Sequence, residues 1–280
     1  MKVAVLGASG FIGGHLTHAL AARGDEVRAL SLHDPEGSAA RASGCDVVVN
    51  LAGAPVAQKW TDEVKREIRE SRTVLPQRFI DALAKQSEIP KAYVSASAVG
   101  FYGTSQDATF TETDGPGTDF LAGVCADWEA TARNARGLGM RVACVRTGIA
   151  LGSDGGAIAK MLAPFKMGAG GIVGNGKQWF SWIHVDDVVG IYLLAIDGAE
   201  GVLNATAPNP VTNATFTKAL GHAVHRPTIL PVPTFALRAM LGEGADALLL
   251  GQRVLPARPI ELGYAFAYPT IETALAQAVV

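Results

Sequence analysis

Residues 7–13 read Gly-Ala-Ser-Gly-Phe-Ile-Gly and come directly after the run Lys2–Leu6, which is apolar without alternation after its first residue. Such a run marks a strand buried on both faces of a parallel sheet, so the first strand is central. After the glycines, Ile12, Leu16 and Leu20 recur at helical spacing, and Gly24 stands where a glycine ends a helix. At a strand-to-helix junction the three glycines have separate uses. Gly7 permits the tight turn, Gly10 lets the backbone approach a pyrophosphate, and Gly13 lets the helix pack closely on the strand. Ser9, Phe11 and Ile12 then surround a helix N-terminus that faces the phosphates of a nucleotide.

Further short apolar runs at 26–32, 46–51, 92–97 and 141–146 alternate with helical stretches, most clearly 65–83 and 121–136. Strands alternating with helices imply right-handed βαβ units in an open, doubly wound parallel sheet of the Rossmann type. With 280 residues the chain has room for one large α/β unit or two coupled domains. Beyond residue 150 the alternation loosens. A glycine-rich segment is followed by a helical pattern at 185–196 and a late strand at 201–207, and prolines gather from Pro208 onward. The expected division is an NAD(P)-binding domain, 1–150 plus 183–207, and a smaller mixed C-terminal lobe on the substrate side, 151–182 plus 208–280.

Lys plus Arg (24) nearly cancels Asp plus Glu (26), so the chain lacks the positive surplus that binding a phosphate backbone requires, and nucleic acid is excluded as a partner. Cys45, Cys125 and Cys144 are odd in number and form no C-x-x-C pair, which fits a reducing cytoplasm and suggests neither disulfide nor zinc. His222 and His225 lack a third ligand at a recognised spacing, so no metal is expected. The amino terminus, with one basic residue and an apolar run broken at Gly7, suits neither a signal peptide nor a membrane span.

The glycine spacing, the NLAG sequence (50–53) after an apolar strand, SASAVGFYG (95–103), CADWEA (125–130), RTGIALG (146–152), GNGKQWFSWIHVDDVVGI (174–191) and LLLGQRVLP (248–256) resemble the extended short-chain dehydrogenase/reductase superfamily. Within it they resemble an atypical epimerase-family branch, nucleoside-diphosphate-sugar-epimerase-like and cell-division-inhibitor-like, that ends in a small domain of unknown function. The resemblance runs in order along nearly the whole chain. It implies a soluble oxidoreductase or epimerase-like protein, with Leu51, Ala52 and Gly53 as a wall against the ribose and Glu67 and Arg72 facing the cofactor.

An NAD-preferring fold of this type places Asp or Glu at the end of the second strand, to hold the ribose 2′-hydroxyl and repel a 2′-phosphate. Here that place is Ser31, with His33 beside it and Arg28 nearby as positive charge, so NADP(H) is favoured and NAD(H) remains an alternative. The related branch usually places an arginine after this residue, where this chain has Leu32.

Ordinary members of the superfamily carry a Tyr-x-x-x-Lys pair, in which the ammonium lowers the phenol pKa for proton exchange. Counting back from Glu129 puts Leu121 at the Tyr position and Cys125 at the Lys position, and a shift by one gives Phe120 and Val124. The pair is absent. Ser97 matches the serine that bonds the reacting oxygen, while Cys125 and Tyr102 are the replacement acids on offer. On the substrate side, Arg146 ends a strand, and Lys160, Lys177, Gln178 and Trp182 lie near glycine-rich turns suited to an anionic group and a ring. Three readings stay open: a reductase or epimerase with a displaced acid, a catalytically silent cofactor sensor, and an interaction protein related to cell division. The partner expected is a small molecule of unassigned identity, with no membrane involved and a homodimer left open.

Overall fold

Six parallel strands form the central sheet: β1 (Lys2–Leu6), β2 (Glu26–Leu30), β3 (Val47–Asn50), β4 (Ala92–Ala98), β5 (Arg141–Thr147) and β6 (Gly201–Ala205). Across the sheet they lie in the order β2, β1, β3, β4, β5, β6. β1 pairs with β2 on one side (Val3 opposite Val27) and with β3 on the other (Val3 opposite Val47). The strand order therefore reverses at β1, the place where open α/β sheets form a ligand crevice. The computed structural model describes residues 1–229 and 231–279, leaving aside the side chains of Ala157, Lys160, Ala236, Ala247 and Leu248.

Both faces of the sheet are covered, which explains the unalternated strands. Val3 and Val5 of β1, with Val47 and Val49 of β3, pack against α1 (Phe11–Ala22) on one face. Ala4, Leu6 and Val48 point the other way, toward α2 (Pro35–Ala42) and the later helix that carries Phe79 and Leu83. The stretch 65–83, which reads as one helix in sequence, is two. α3 (Asp62–Glu70) is capped by Thr61, whose hydroxyl accepts the Val64 N–H at 3.2 Å, and α4 (Val74–Leu83) begins after a three-residue turn. Pro76, in the first turn of α4, lacks an N–H and is tolerated there.

Helix α5 (Phe120–Arg133) precedes β5, α6 (Gly156–Lys166) comes after it, and α7 (Val185–Asp197) returns to pack on α1. β6 then joins the edge of the sheet beside β5 (Leu203 opposite Val145), so residues 185–205 belong to the Rossmann layer. The smaller lobe contains α8 (Asn213–Ala223), α9 (Thr234–Leu241), α10 (Asp246–Leu249), α11 (Ala257–Glu261) and α12 (Ile271–Ala278), and its short strands 211–212 and 253–254 pair with 179–180 and 109–110. One segment crosses back. Asp187, fully buried on α7, accepts the backbone N–H groups of Ala267 (2.8 Å) and Tyr268 (2.9 Å), and Tyr264 and Phe266 pack on the core of the sheet. Among the described residues no helix is long and apolar enough to cross a membrane, and no group of three His, Cys, Asp or Glu is placed to hold a metal ion.

Candidate cofactor cleft and substrate pocket

The turn between β1 and α1 is built on two constraints of space. Gly7 has φ +84°, and a Cβ there would stand 2.9 Å from the Ala52 nitrogen. At Gly13 a Cβ would lie 2.1 Å from the Gly7 carbonyl oxygen, so only glycine lets α1 rise this close to the turn. The helix starts at Gly10, which has no side chain to cap the first N–H groups, and these stay open to an anion. The Phe11 ring lies edge-on to His15, whose Nε2 is 3.0 Å from Asp154. Ile12 packs onto the sheet core.

From this turn a cleft of about 790 Å³ runs along the β1–β3 reversal. It is lined by Gly7, Ser9 and Gly10 from the turn, Ser31 and His33 after β2, Leu51, Ala52 and Gly53 after β3, and Glu67 of α3. Ser31 and His33 are exposed, while Leu32 between them is buried and also lines the cleft. Arg28 is directed elsewhere: its guanidinium bonds Glu26 and the carbonyls of Arg41 and Ser43. Arg78 reaches the cleft instead, from α4, with its NH2 nitrogen 2.9 Å from Glu36.

A second, smaller pocket of about 300 Å³ opens at the carboxyl ends of β4 and β5. Its wall includes Ala98, Leu121, Val124, Cys125, Trp128, Thr147 and, from the smaller lobe, Trp179 and Leu250. The positions counted for the Tyr-x-x-x-Lys pair thus do line a cavity, filled by an isobutyl group and a thiol. Burial pushes the Cys125 thiol up to about 12, with Glu129 adding to the shift and Arg72 opposing it. Arg72, in the turn between α3 and α4, belongs to this pocket's wall. Burial lowers its pKa from the usual arginine value.

β4 alternates, and the alternation decides which residue meets the pocket. Ala98 lines it, whereas the Ser97 hydroxyl points into the protein and donates to Glu129 Oε1 at 2.8 Å. Glu129 is also held by Arg146, through Nε at 2.7 Å and NH2 at 3.0 Å, and by Arg133 at 2.8 Å. Arg146 NH1 donates to the Tyr102 hydroxyl (2.9 Å), which donates to Asn204 Oδ1 (2.7 Å). Burial outweighs the pull of Arg146 and raises the Tyr102 phenol to about 12. The structure thus moves Ser97, Tyr102 and Arg146 from the ligand side to one buried network.

Residues 3–206 match the NAD dependent epimerase/dehydratase family, and residues 232–278 match a domain of unknown function, DUF1731. The chain belongs to this epimerase family. Its similar members include the chloroplastic epimerase family protein SDR39U1 homolog of Arabidopsis thaliana, 43% identical over 98% of this chain and 86% of that one. The epimerase family protein YfhF of Bacillus subtilis is 38% identical over 99% of this chain and 97% of its own. Among solved structures, human epimerase family protein SDR39U1 with NADPH superposes with TM-score 0.92 at 35% identity, covering 100% of this chain and 99% of that one. A UDP-glucose 4-epimerase of Thermotoga maritima reaches 0.83 at 21% identity, covering 100% and 97%, and shares the fold of the extended short-chain dehydrogenases/reductases.

Within this epimerase-family frame the substrate-side residues spread apart. Trp182 is fully buried in the core of the smaller lobe, its indole N–H on the Asn209 carbonyl at 3.1 Å. Gln178 is buried and bonds the Val173 carbonyl at 3.1 Å. Lys177 is exposed and lines neither cavity. The Lys160 side chain lies outside the described residues. Trp179 does reach the pocket, with its N–H on the Gln106 carbonyl at 2.7 Å and Arg253 4.9 Å from its ring centre. Glu70, Ser71, Val74 and Arg78, which no sequence motif singles out, line the cleft beside Glu67. Helical spacing from Glu67 is the one signal in the sequence that points to them.

Proposed function

We propose that this chain binds NADP(H) in the cleft at the β1–β3 reversal and exchanges hydride with a small molecule held in the adjoining pocket, as an oxidoreductase or epimerase-like enzyme. The observation that carries this reading is the shared wall. Pro55, Glu67 and Ser71 line the cleft, while their neighbours Val56, Ile68 and Arg72 line the pocket.

The residues present fit a dinucleotide. The uncapped start of α1 and the space left by Gly13 suit a pyrophosphate, and Ser31 with His33 offers no carboxylate to repel a 2′-phosphate. That choice favours NADP(H) over NAD(H), in line with the human relative solved with NADPH. A bound nicotinamide supplies the hydride chemistry, and the chain's own residues have narrower tasks. Leu121 and Ala98 shape an apolar floor, and Cys125 stays a neutral thiol at physiological pH. Ser97 and Tyr102 serve as positioning residues, because their hydroxyl protons are given to Glu129 and Asn204. With no positioned acid among the described residues, turnover is slow, by a factor of roughly 10²–10⁴ against a pair-bearing relative. The missing pair also supports the silent-sensor reading. The three free cysteines fit the cytoplasm or another reducing compartment.

Calorimetric titration with NADPH and NADH tests the binding half, and no binding of either at millimolar concentration sinks it. Screening NADPH oxidation against quinones, aldehydes and nucleotide-sugar ketones tests the other half. Binding without any turnover would leave the sensor.

A further inference from the structure

Arg72 is the one cation in the described wall of the smaller pocket, and among the described residues no carboxylate is bonded to it. Its NH1 donates to the Ile68 carbonyl (3.1 Å) and the Ser71 hydroxyl (3.3 Å), and its NH2 donates to the Ala54 carbonyl (3.0 Å). A guanidinium has five N–H groups, so two remain without an acceptor among the described residues. The group is also fixed in place. The Trp128 ring lies 4.9 Å from Cζ, and a Cβ at Gly53 would stand only 3.1 Å from it. The two acids of the wall are engaged elsewhere: Asp119 caps α5 through the Ala122 N–H (2.9 Å), and Asp246 pairs with Arg238 (3.1 Å).

The cation therefore faces a cavity whose other surfaces are mostly apolar, Leu121 and Val124 among them. A charge held out of water without a counter-charge is costly, and a ligand that brings an anionic oxygen offsets the cost. The volume, about 300 Å³, lies at the small end of the range for ligand sites. Cys125 stands at one of the two positions, with Val124, counted for the lysine of ordinary superfamily members, and both line this pocket.

We propose that the pocket takes a compact, mainly apolar molecule carrying one anionic oxygen, a carboxylate or an enolate, and that Arg72 holds that oxygen. The assignment rests on reading this pocket as the substrate site. It favours a ligand smaller than a nucleotide sugar, because among the described residues one cation and no second basic group line the pocket.

The probes are 2-naphthoate, cinnamate and the neutral 2-naphthamide, titrated calorimetrically with and without saturating NADP⁺, while NADPH and 2′,5′-ADP affinities are measured separately for each variant. The carboxylates are expected to bind at least about 10-fold tighter than the amide. Arg72→Gln should erase that preference and Arg72→Lys should restore part of it, with NADPH affinity unchanged, which also shows that both variants fold. Equal binding of acid and amide, or no binding of either acid to wild type, overturns the proposal. So does an Arg72→Gln variant that loses NADPH affinity while keeping that for 2′,5′-ADP, since Arg72 would then serve the nicotinamide half. Absence of NADPH binding in wild type counts against the cofactor reading alone, because the acids are also titrated without it.

Discussion

Arg146 grips both carboxylate oxygens of Glu129 in the interior, where the two side chains are 3% and 0% exposed. The guanidinium also lies 3.4 Å from the Phe101 ring centre, so the ion pair is roofed by an aromatic face. An ion pair this deep is retained only with excellent geometry, and removing one partner leaves an unpaired buried charge.

Arg146→Met should therefore cost about 3–5 kcal/mol, and the double change Arg146→Met with Glu129→Leu should recover much of that loss. Chemical denaturation measures both. A single variant that loses under about 1 kcal/mol would remove the structural role given to the network.

The cysteines give a pH expectation. Desolvation raises the Cys125 and Cys144 thiols from an ordinary value of 9.0 to about 12 in the folded state. A raised folded value means that their share of stability is complete below about pH 9 and is lost as the pH climbs toward 12. Native protein should accordingly resist iodoacetamide at both sites at pH 8 and be labelled only on unfolding. Peptide mass mapping reads this directly, and rapid native labelling of Cys125 would show an activated thiol.

Gly13→Ala should disrupt the turn, because the added methyl would press on the Gly7 carbonyl oxygen. The expected loss is about 1–3 kcal/mol of stability, from overpacking, together with NADPH binding. Gly14→Ala is the control, since a Cβ there meets nothing within 4 Å. Thermal denaturation and calorimetry separate the two residues, and equal tolerance would mean that the turn adjusts freely.

Ser31→Asp places a carboxylate in the cleft wall beside His33. Repulsion of a 2′-phosphate should weaken NADPH by about 1–4 kcal/mol at contact distance while sparing NADH. Competition between the two cofactors decides it. Unchanged NADPH affinity would place the phosphate elsewhere, with Arg78 the first residue to examine.

Much of the fold was legible because it rests on local pattern. The run through Leu6 and the glycines after it specify a buried strand, a turn and a helix start without reference to anything distant. The break between α3 and α4 was not legible: Ser71, Arg72 and Thr73 are compatible with helix, and the turn is stabilised by tertiary bonds such as Arg72 NH2 to the Ala54 carbonyl. Ser97 shows the same limit on the site. Its neighbours in sequence match a catalytic motif, but the phase of β4 turns its hydroxyl toward α5 and leaves Ala98 at the pocket.

By itself the sequence determined the features that backbone sterics and periodicity dictate: a central parallel sheet, the phosphate-binding turn, and the loss of the tyrosine and lysine whose spacing on a helix is fixed at four. Tertiary structure alone decided which polar side chains meet a ligand and which meet each other. Glu129 and Arg146 are 17 residues apart on a helix and a strand, and only their packing brings them to 2.7 Å. Arg72 gains its place in the pocket wall from Trp128 of α5, far along the chain. The physical reason is that a buried charge is satisfied by whichever group the fold brings within hydrogen-bond reach, and that partner leaves no periodic trace in the sequence.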